Sequence, residues 1–358
     1  MIRRLMPLTA VLALAACGDR PPRDQDAAQS RSDEARAEMA MGLSRNGIES
    51  AVFRPSPPAP AAQPGQTTPA QNPPAPTPPD AALIRAQILL DRAAFSPGVI
   101  DGLGGDNSRQ AIAAFEKAND LPQDGVLDAA VFQRLTTADS RPVLMDYAIT
   151  AQDLEGPFVG TVPTDLEALS RLDRVGYATI EEALAERFHT TEALLRALNP
   201  NADFRRAGQR LVVPAVSAAK LTAEVARITV DKTELSLRAY DASGKLIGFY
   251  PATIGSSDRP APSGTVTVVG VAPRPNYTYD PDRVTYGSGE KRLVIAPGPN
   301  NPVGSVWIDL SRDTYGIHGT PDPSKVGKTF SSGCVRLTNW DAERLAASVK
   351  PGVEVVFL

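Results

Sequence analysis

The sequence predicts a multidomain α+β protein, because three different patterns follow one another along its 358 residues. Residues 81–137 carry apolar positions at helical spacing, with two Asp-Gly turns between them. Residues 145–214 combine two helical stretches with a short strand, which predicts a small α/β segment. From Ala226 onward, short runs of alternating apolar and polar residues separated by turns predict a mainly β domain.

Bulk composition narrows the class of protein. Apolar residues make up 42% of the chain, which is enough to bury at least one sizeable core. The net charge of −4 gives no electrostatic reason to expect a nucleic-acid partner.

The first residues, 1–17, have the pattern of an export signal. Two arginines precede an apolar run, 5–16, that is too short to span a bilayer. The run ends in Leu-Ala-Ala-Cys, which resembles a bacterial lipobox. The resemblance implies cleavage before Cys17 and lipidation of its thiol, which anchors the protein to a membrane of the cell envelope on its periplasmic side. Gly18, in place of Asp, favours the outer membrane in a Gram-negative cell. The alternative is an ordinary cleavable signal with an incidental cysteine.

Residues 18–80 are expected to form a disordered, Pro-rich linker. Eleven of the twenty-five residues 55–79 are proline, a density that excludes helices and strands. Such a run forms an extended spacer of roughly 75 Å at about 3.1 Å per residue. It could carry the folded domains from a membrane to the cell-wall layer; a passive disordered linker is the alternative, and both can be true.

Three helices are expected in residues 81–137, with the second at Ser108–Asn119 and the third ending near Leu135. Their spacing around the Asp-Gly turns resembles the small three-helix peptidoglycan-binding domain. The resemblance implies binding to the cell wall, whereas a generic helical spacer is the alternative.

Residues 145–214 are similar in their second half to LysM modules, which bind glycan chains. We expect helices at Ala178–Phe188, with Thr179 as N-cap, and from Thr190 to Leu198, followed by a strand ending at Pro214. The first half departs from the LysM pattern, so a structural wedge between domains is the alternative. His189 is expected to have a surface or capping role.

The β pattern continues to the end of the chain and predicts a β-sandwich or barrel-like sheet. One helix, Asn339–Ser348, interrupts it, with Asn339 expected to cap and Trp340 to pack. The strands are expected at Arg227–Val230, Glu234–Tyr240, Lys245–Ile254, Gly264–Val271, Leu293–Ile295, Val306–Asp309 and Val353–Phe357.

Two scarce residues stand out in the β domain. Cys334 is the only cysteine after Cys17, and His318 is the only histidine after His189. A loop rich in Pro, Gly and Ser separates them, so both side chains can meet at one point. An imidazole beside a thiol takes its proton and stabilises the thiolate nucleophile. One His and one Cys do not fill a metal site, so no metal is expected, and no other cofactor is expected either. A structural disulfide is not expected, because Cys334 has no partner if Cys17 is lipidated.

The surrounding residues resemble the L,D-transpeptidase catalytic domain, the YkuD family, from about Arg227 to Leu358. The match includes LVIAPGPNNPVG at 293–304, YGIHGT at 315–320 and SSGCVRL at 331–337. The family pattern is usually Ser-His-Gly-Cys, and here Ser332 replaces that second residue. The departure leaves His318 in place.

The resemblance implies an acyl transfer on peptidoglycan. Cys334 attacks the carbonyl at the L-centre of the third residue of a tetrapeptide stem, D-Ala leaves with a proton from His318, and an amine then attacks the thioester. The backbone carbonyl of Gly319 is expected to orient His318. Backbone N–H groups around Ser332, Gly333 and Cys334 are expected to hold the oxyanion.

Other residues of the motif have less specific expectations. Ser331 positions the loop or contacts substrate. Arg336 binds the substrate carboxylate, supports the loop or forms a structural salt bridge. Asn300 and Asn301 are expected to be scaffold.

These expectations describe an enzyme of peptidoglycan biosynthesis, cell wall organisation and cell shape that makes cross-links or attaches a protein to the wall. A hydrolase of the same fold, either an L,D-carboxypeptidase or a peptidoglycan-protein amidase, would use the same residues with water as acceptor. A non-catalytic wall tether is the third possibility.

Overall fold

The computed structural model describes residues 43–53, 78–217, 220–256, 259–283 and 290–358. The predicted export signal with Cys17, and residues 54–77 of the Pro-rich run, lie outside the described residues. Among the helices of the described ranges, none is both long and apolar enough to cross a membrane.

The three predicted helices of the N-terminal domain are present. Asp80 and Asp128 cap the first and third helix by accepting hydrogen bonds from backbone N–H groups, at 2.7 Å and 2.8 Å. A shorter helix precedes them. The bounds are α1 (Arg45–Glu49), α2 (Ala81–Arg92), α3 (Asp106–Ala118) and α4 (Ala129–Ala138).

Helix α1 differs from the expectation that 18–80 is a linker. Leu43 and Ile48 are buried in the core of the helical domain. The carboxylate of Glu49 accepts hydrogen bonds from the backbone N–H groups of Val143 and Leu144, at 3.1 Å and 2.8 Å. A five-residue helix is not stable alone, so these tertiary contacts stabilise it. The sequence did not predict it, because so short a segment has too few apolar residues to show a helical hydrophobic period.

Residues 144–214 form a small α/β unit. Its two end strands, β1 (Leu144–Ala148) and β2 (Arg210–Pro214), pair antiparallel. Thr179 caps the third of its four helices, as predicted, by accepting from the backbone N–H of Glu182. Strand β1 and the first two helices lie in the first half of the unit, whose sequence departs from the LysM pattern. The helices are α5 (Ala151–Glu155), α6 (Leu166–Leu169), α7 (Ile180–Arg187) and α8 (Glu192–Leu198).

His189 is buried, so the expected surface position is wrong, although it does follow the end of α7 with a positive φ of 55°. Its Nδ1 lies 3.0 Å from a carboxylate oxygen of the fully buried Asp91 in α2. Its ring stacks on Trp340, with centroids 4.9 Å apart. The histidine therefore joins three parts of the chain that are far apart in sequence.

The β domain contains one hydrogen-bonded sheet of eight strands, in the order β13-β11-β10-β7-β14-β3-β4-β5, and two short pairs, β12 with β6 and β8 with β9. The strands are β3 (Arg227–Asp231), β4 (Ser236–Tyr240), β5 (Leu246–Pro251), β6 (Ile254–Gly255), β7 (Gly264–Pro273), β8 (Tyr277–Tyr279), β9 (Leu293–Ile295), β10 (Val306–Leu310), β11 (Gly316–His318), β12 (Phe330–Ser331), β13 (Val335–Arg336) and β14 (Glu354–Phe357).

The ten-residue strand β7 connects the two halves of the sheet. Its first half pairs with β14 and its second half with β10, so the site-bearing strands β10, β11 and β13 are continuous with the rest. The other end, β5, is covered by the helical domain: the Phe249 N–H donates to the Ala94 carbonyl, and the Ser96 N–H donates to the Phe249 carbonyl, both at 2.9 Å. That cover removes an open sheet edge.

The last helix, α9 (Asn339–Ala346), begins at the residue that was expected to cap it, so the cap lies one residue earlier. Thr338 is the N-cap, and its side chain accepts from the Asp341 N–H at 3.2 Å. Asn339, which was expected to cap, is instead buried in contacts with other parts of the chain. Trp340 packs as predicted, being 7% exposed.

Candidate active site

The two scarce residues come together at the end of the sheet. Strands β11 and β13 pair in parallel, with Ile317 opposite Val335 and His318 opposite Arg336. Cys334 directly precedes β13. Because side chains alternate along a strand, Cys334, Arg336 and His318 occupy the same face. All three line one cavity of about 680 Å³.

Trp307 packs against the ring of His318. It pairs with His318 in the antiparallel β10–β11 ladder, and the two rings stack with centroids 5.3 Å apart and planes 18° apart. Its Nε1 donates to Asp309 at 3.1 Å. The indole can occupy this position because residue 316 is glycine: a Cβ there would lie 2.4 Å from Trp307 Cζ2.

His318 has the protonation state of a base. It is 2% exposed, and its Nδ1 lies 2.7 Å from the Gly319 carbonyl oxygen, which only accepts. Nδ1 therefore carries the proton, and Nε2 of the neutral ring carries a lone pair. Burial, with a contribution from the Arg336 charge, lowers the pKa of His318 to about 3 against the Gly319 hydrogen bond. At neutral pH the ring is uncharged.

Cys334 is half-buried and not in a disulfide. Burial raises the pKa of its thiol above the ordinary value, while the Gly316 backbone N–H and the Arg336 charge act in the opposite direction. Sγ lies 3.7 Å from the Thr314 carbonyl, to which the thiol donates. In the described part of the chain no hydrogen bond joins Sγ to the imidazole. Such catalytic contacts are often long in unliganded enzymes and shorten on binding.

The loop before the cysteine is held by Ser331. Its buried hydroxyl donates to the Cys334 carbonyl at 2.5 Å and accepts from the Gly333 N–H at 3.2 Å. Gly333 has φ +121°, and a Cβ there would lie 2.9 Å from Tyr315 Cε1. Ser331 thus has the loop-positioning contacts that were one of its two expected roles.

The other motif residues surround this loop. Ser332, which departs from the pattern of the family that the sequence resembles, accepts a hydrogen bond from Arg259 Nη1 at 3.2 Å. The Gly333 N–H already has Ser331 as its acceptor, so the oxyanion role of these backbone groups stays a prediction.

Arg336 forms the cavity wall beside His318. Among the described residues no carboxylate lies within salt-bridge distance of it, and its buried Nε has no hydrogen-bond partner. The expected alternative of a structural salt bridge is therefore not what the structure shows. Binding of a substrate carboxylate, the first of its expected roles, stays a prediction for this residue, which lines the cavity.

Asn300 and Asn301 are scaffold, as predicted. Asn301 is fully buried, donates to the Ala296 carbonyl at 2.8 Å and accepts from the Val303 N–H at 2.9 Å. Asn300 donates to Glu182 in α7 at 2.9 Å. The turn at 297–301 is therefore fastened to the α/β unit.

Sequence reasoning missed Trp307 and Asp309. Both lie on the exposed face of β10, whose alternate residues are buried, and a tryptophan on the polar face of a strand was the available signal. In the part of the chain that the structure describes, no group of three or more His, Cys, Asp or Glu residues is arranged to hold a metal ion.

Comparison with protein families gives two matches. Residues 225–357 match the L,D-transpeptidase catalytic domain, the YkuD model. Residues 79–135 match the model of a peptidoglycan-binding domain.

Two named relatives agree with the first match. A Bacillus licheniformis protein named as an L,D-transpeptidase, YkuD, is 31% identical over 176 residues, which are 49% of this chain and 90% of that protein. An Escherichia coli protein named as an L,D-transpeptidase, ErfK/SrfK, is 32% identical over 163 residues, which are 44% of this chain and 52% of that protein. A solved L,D-transpeptidase from Mycobacterium smegmatis aligns with a TM-score of 0.31 and 16% identity, over 44% of this chain and 76% of that one.

Proposed function

This chain belongs to the YkuD family of L,D-transpeptidases, and we propose from that premise that Cys334 and His318 transfer an acyl group of a peptidoglycan stem peptide to an amine. One observation carries the proposal: the thiol directly before β13 and the neutral imidazole of β11, whose Nε2 carries a lone pair, line the same cavity. That arrangement suits a nucleophile activated by a general base.

The first half-reaction forms a thioester. As Sγ bonds to the carbonyl carbon of the third stem residue, its proton passes to Nε2 of His318. The C–N bond to D-Ala then breaks, and the leaving amine takes that proton from the imidazolium. The enzyme is left acylated at Cys334, with His318 neutral again.

The second half-reaction returns the thiol. An amine attacks the thioester carbon and loses its proton to His318, so that a new amide bond forms. The C–S bond breaks, and the thiolate takes the proton back. Because burial disfavours the charged form of both resting groups, the thiol proton can pass to His318 as Sγ attacks, without a preformed ion pair.

The rest of the chain suits an enzyme that works on the wall. The match of 79–135 to a peptidoglycan-binding domain supports wall contact by the helical part. We further propose that the LysM-like unit, 145–214, contributes to glycan binding. The sequence of 1–17 supports a lipid on Cys17 in the cell envelope, with the outer membrane favoured in a Gram-negative cell.

Mass spectrometry of the purified chain with a disaccharide-tetrapeptide tests the chemistry. We expect loss of D-Ala and an adduct on Cys334 that is absent in Cys334→Ala. Cys17→Ala is the matched control, since it removes the chain's other cysteine and should keep the adduct. Dimeric product supports an amine acceptor, whereas tripeptide alone favours the hydrolase. Absence of both adduct and product would leave only the tether.

A further inference from the structure

A partly buried carboxylate connects the α/β unit to the β domain. Glu186, in the last turn of α7, accepts a hydrogen bond on Oε1 from the Tyr177 hydroxyl at 3.0 Å and from Asn339 Nδ2 at 2.9 Å. No Arg, Lys or His of the described ranges lies within salt-bridge distance of it. Its contacts are therefore directional hydrogen bonds and not an ion pair.

These hydrogen bonds fix the orientation of the Asn339 amide, which is 2% exposed. Nδ2 donates to Glu186 and, at 3.1 Å, to the Pro299 carbonyl, both of which accept. Oδ1 accepts from the Ser305 N–H at 3.0 Å. A flipped amide would put an oxygen against two acceptors and a donor against a donor, so only one orientation satisfies the site.

The oriented amide lies against the backbone that holds the base. A Cβ built on Gly319 would be 2.0 Å from Asn339 Oδ1, and one built on Gly304 would be 2.1 Å from it. Asn339 Oδ1 thus contacts the Cα of each glycine directly. The carbonyl oxygen of the same Gly319 accepts a hydrogen bond from His318 Nδ1–H at 2.7 Å.

We propose that Glu186 and Asn339 are positioning residues for His318: Glu186 orients the Asn339 amide, and Asn339 supports the Gly319 peptide whose carbonyl fixes the imidazole. The α/β unit, which resembles a wall-binding module, is on this proposal also a structural part of the catalytic site. The proposal rests on the proposed function in taking His318 as the base.

A direct test observes the His318 hydrogen bond itself. The chain has two histidines, so ¹⁵N-histidine labelling of the full chain gives a simple imidazole spectrum, and His318→Asn assigns the signals. We expect a slowly exchanging Nδ1–H signal from His318. Glu186→Ala and Asn339→Asp should broaden or shift it, whereas Glu186→Gln, whose amide oxygen still accepts, should keep it. Glu181→Gln is the matched control, because Glu181 lies in α7 but pairs with Arg196.

Kinetics then separate positioning from substrate binding. We expect Glu186→Ala and Asn339→Asp to lower kcat about tenfold or more with little change in KM, because a misplaced base costs rate in this range. If Glu186→Ala does not fold, Asn339→Asp still tests the proposal, because aspartate keeps the size of the side chain and the oxygen that accepts from the Ser305 N–H. Adding Glu186→Gln to Asn339→Asp should recover part of kcat, because the exchange of donor and acceptor restores the hydrogen bond.

The two levels of failure are distinguishable. If kcat and the Nδ1–H signal are both unchanged in Glu186→Ala and Asn339→Asp, the positioning proposal is wrong. A change in KM alone, or a loss of kcat with an unchanged signal, also overturns it. If the unsubstituted chain shows no transfer at all, the proposed function fails, and the spectrum alone decides whether the two residues position the ring.

Discussion

The indole of Trp307 lies nearly parallel to the imidazole of His318, with ring centroids 5.3 Å apart. In the pairing of β11 with β13, Arg336 lies opposite the same histidine. An aromatic ring, the proposed base and a cation thus form one row across β10, β11 and β13. Each neighbour acts on the base differently, since Trp307 restricts its orientation and Arg336 disfavours its charged form.

Removal of the base while its hydrogen bond is kept should stop the chemistry. Asparagine at position 318 places an amide N–H near the position of Nδ1, so His318→Asn retains a donor for the Gly319 carbonyl but lacks Nε2. We expect kcat/KM to fall about 10²–10⁴-fold, the usual contribution of a general base. Steady-state release of D-Ala measures it, and activity within tenfold of the original would exclude His318 as the base.

The buried imidazole should make stability depend on pH. In the unfolded chain His318 protonates near 6.5, whereas its pKa in the fold is about 3. The folded state therefore binds fewer protons between these values, so this contribution is complete above pH 6.5 and is lost as the pH falls toward 3. Urea unfolding of the original chain and of His318→Asn at several pH values isolates this group. Equal pH slopes for the two would contradict the burial of a neutral ring.

Gly316 should tolerate no side chain. A methyl group there would meet Trp307 Cζ2 at 2.4 Å, so Gly316→Ala must displace the indole from His318. We expect a loss of about 1–3 kcal/mol of stability, typical of overpacking, together with lower kcat. Gly270→Ala is the matched control in the same sheet, since nothing lies within 4 Å of a Cβ there. Chemical denaturation and D-Ala release measure both effects; similar behaviour of the two variants would refute the crowding.

The charge of Arg336 should affect both members of the pair in the same direction. It lowers the pKa of His318 and of Cys334, so Arg336→Gln should raise both. The rate of iodoacetamide alkylation against pH reports the thiol, and an NMR titration reports the ring. We expect the alkylation profile of Arg336→Gln to move to higher pH. A shift in the opposite direction would show that another group dominates the cavity.

The short helix α1 should contribute to stability although none of its residues lines the cavity. Ile48 is fully buried, so Ile48→Ala should cost about 2–5 kcal/mol if the neighbouring side chains do not close the space. Val52→Ala is the control, because Val52 is 59% exposed. Thermal unfolding compares them. A Tm for Ile48→Ala equal to that of Val52→Ala would mean that α1 is not held in the core.

Much of the fold was accessible to sequence reasoning because the relevant signals are local. Thr179 was recognised as a cap from its place before two glutamates, and the three helices of 81–137 from their apolar period. Asn339 was misjudged because Thr338 and Asn339 both have side chains that cap helices, and which of them does so depends on distant partners. His189 was misjudged because its burial depends on Asp91 and Trp340, which the local sequence does not reveal.

By itself, the sequence determined that Cys334 and His318 are the candidate reactive pair, because scarce residue types in a motif are visible without coordinates. It also determined the division into a helical part, an α/β segment and a β domain, since hydrophobic period depends on neighbours along the chain. Only the tertiary structure decided that Trp307 stacks on the base, that α1 joins the core and that Glu186 reaches Asn339. Those contacts join residues far apart in sequence, and their energy comes from burial and hydrogen-bond geometry that exist only in the folded chain.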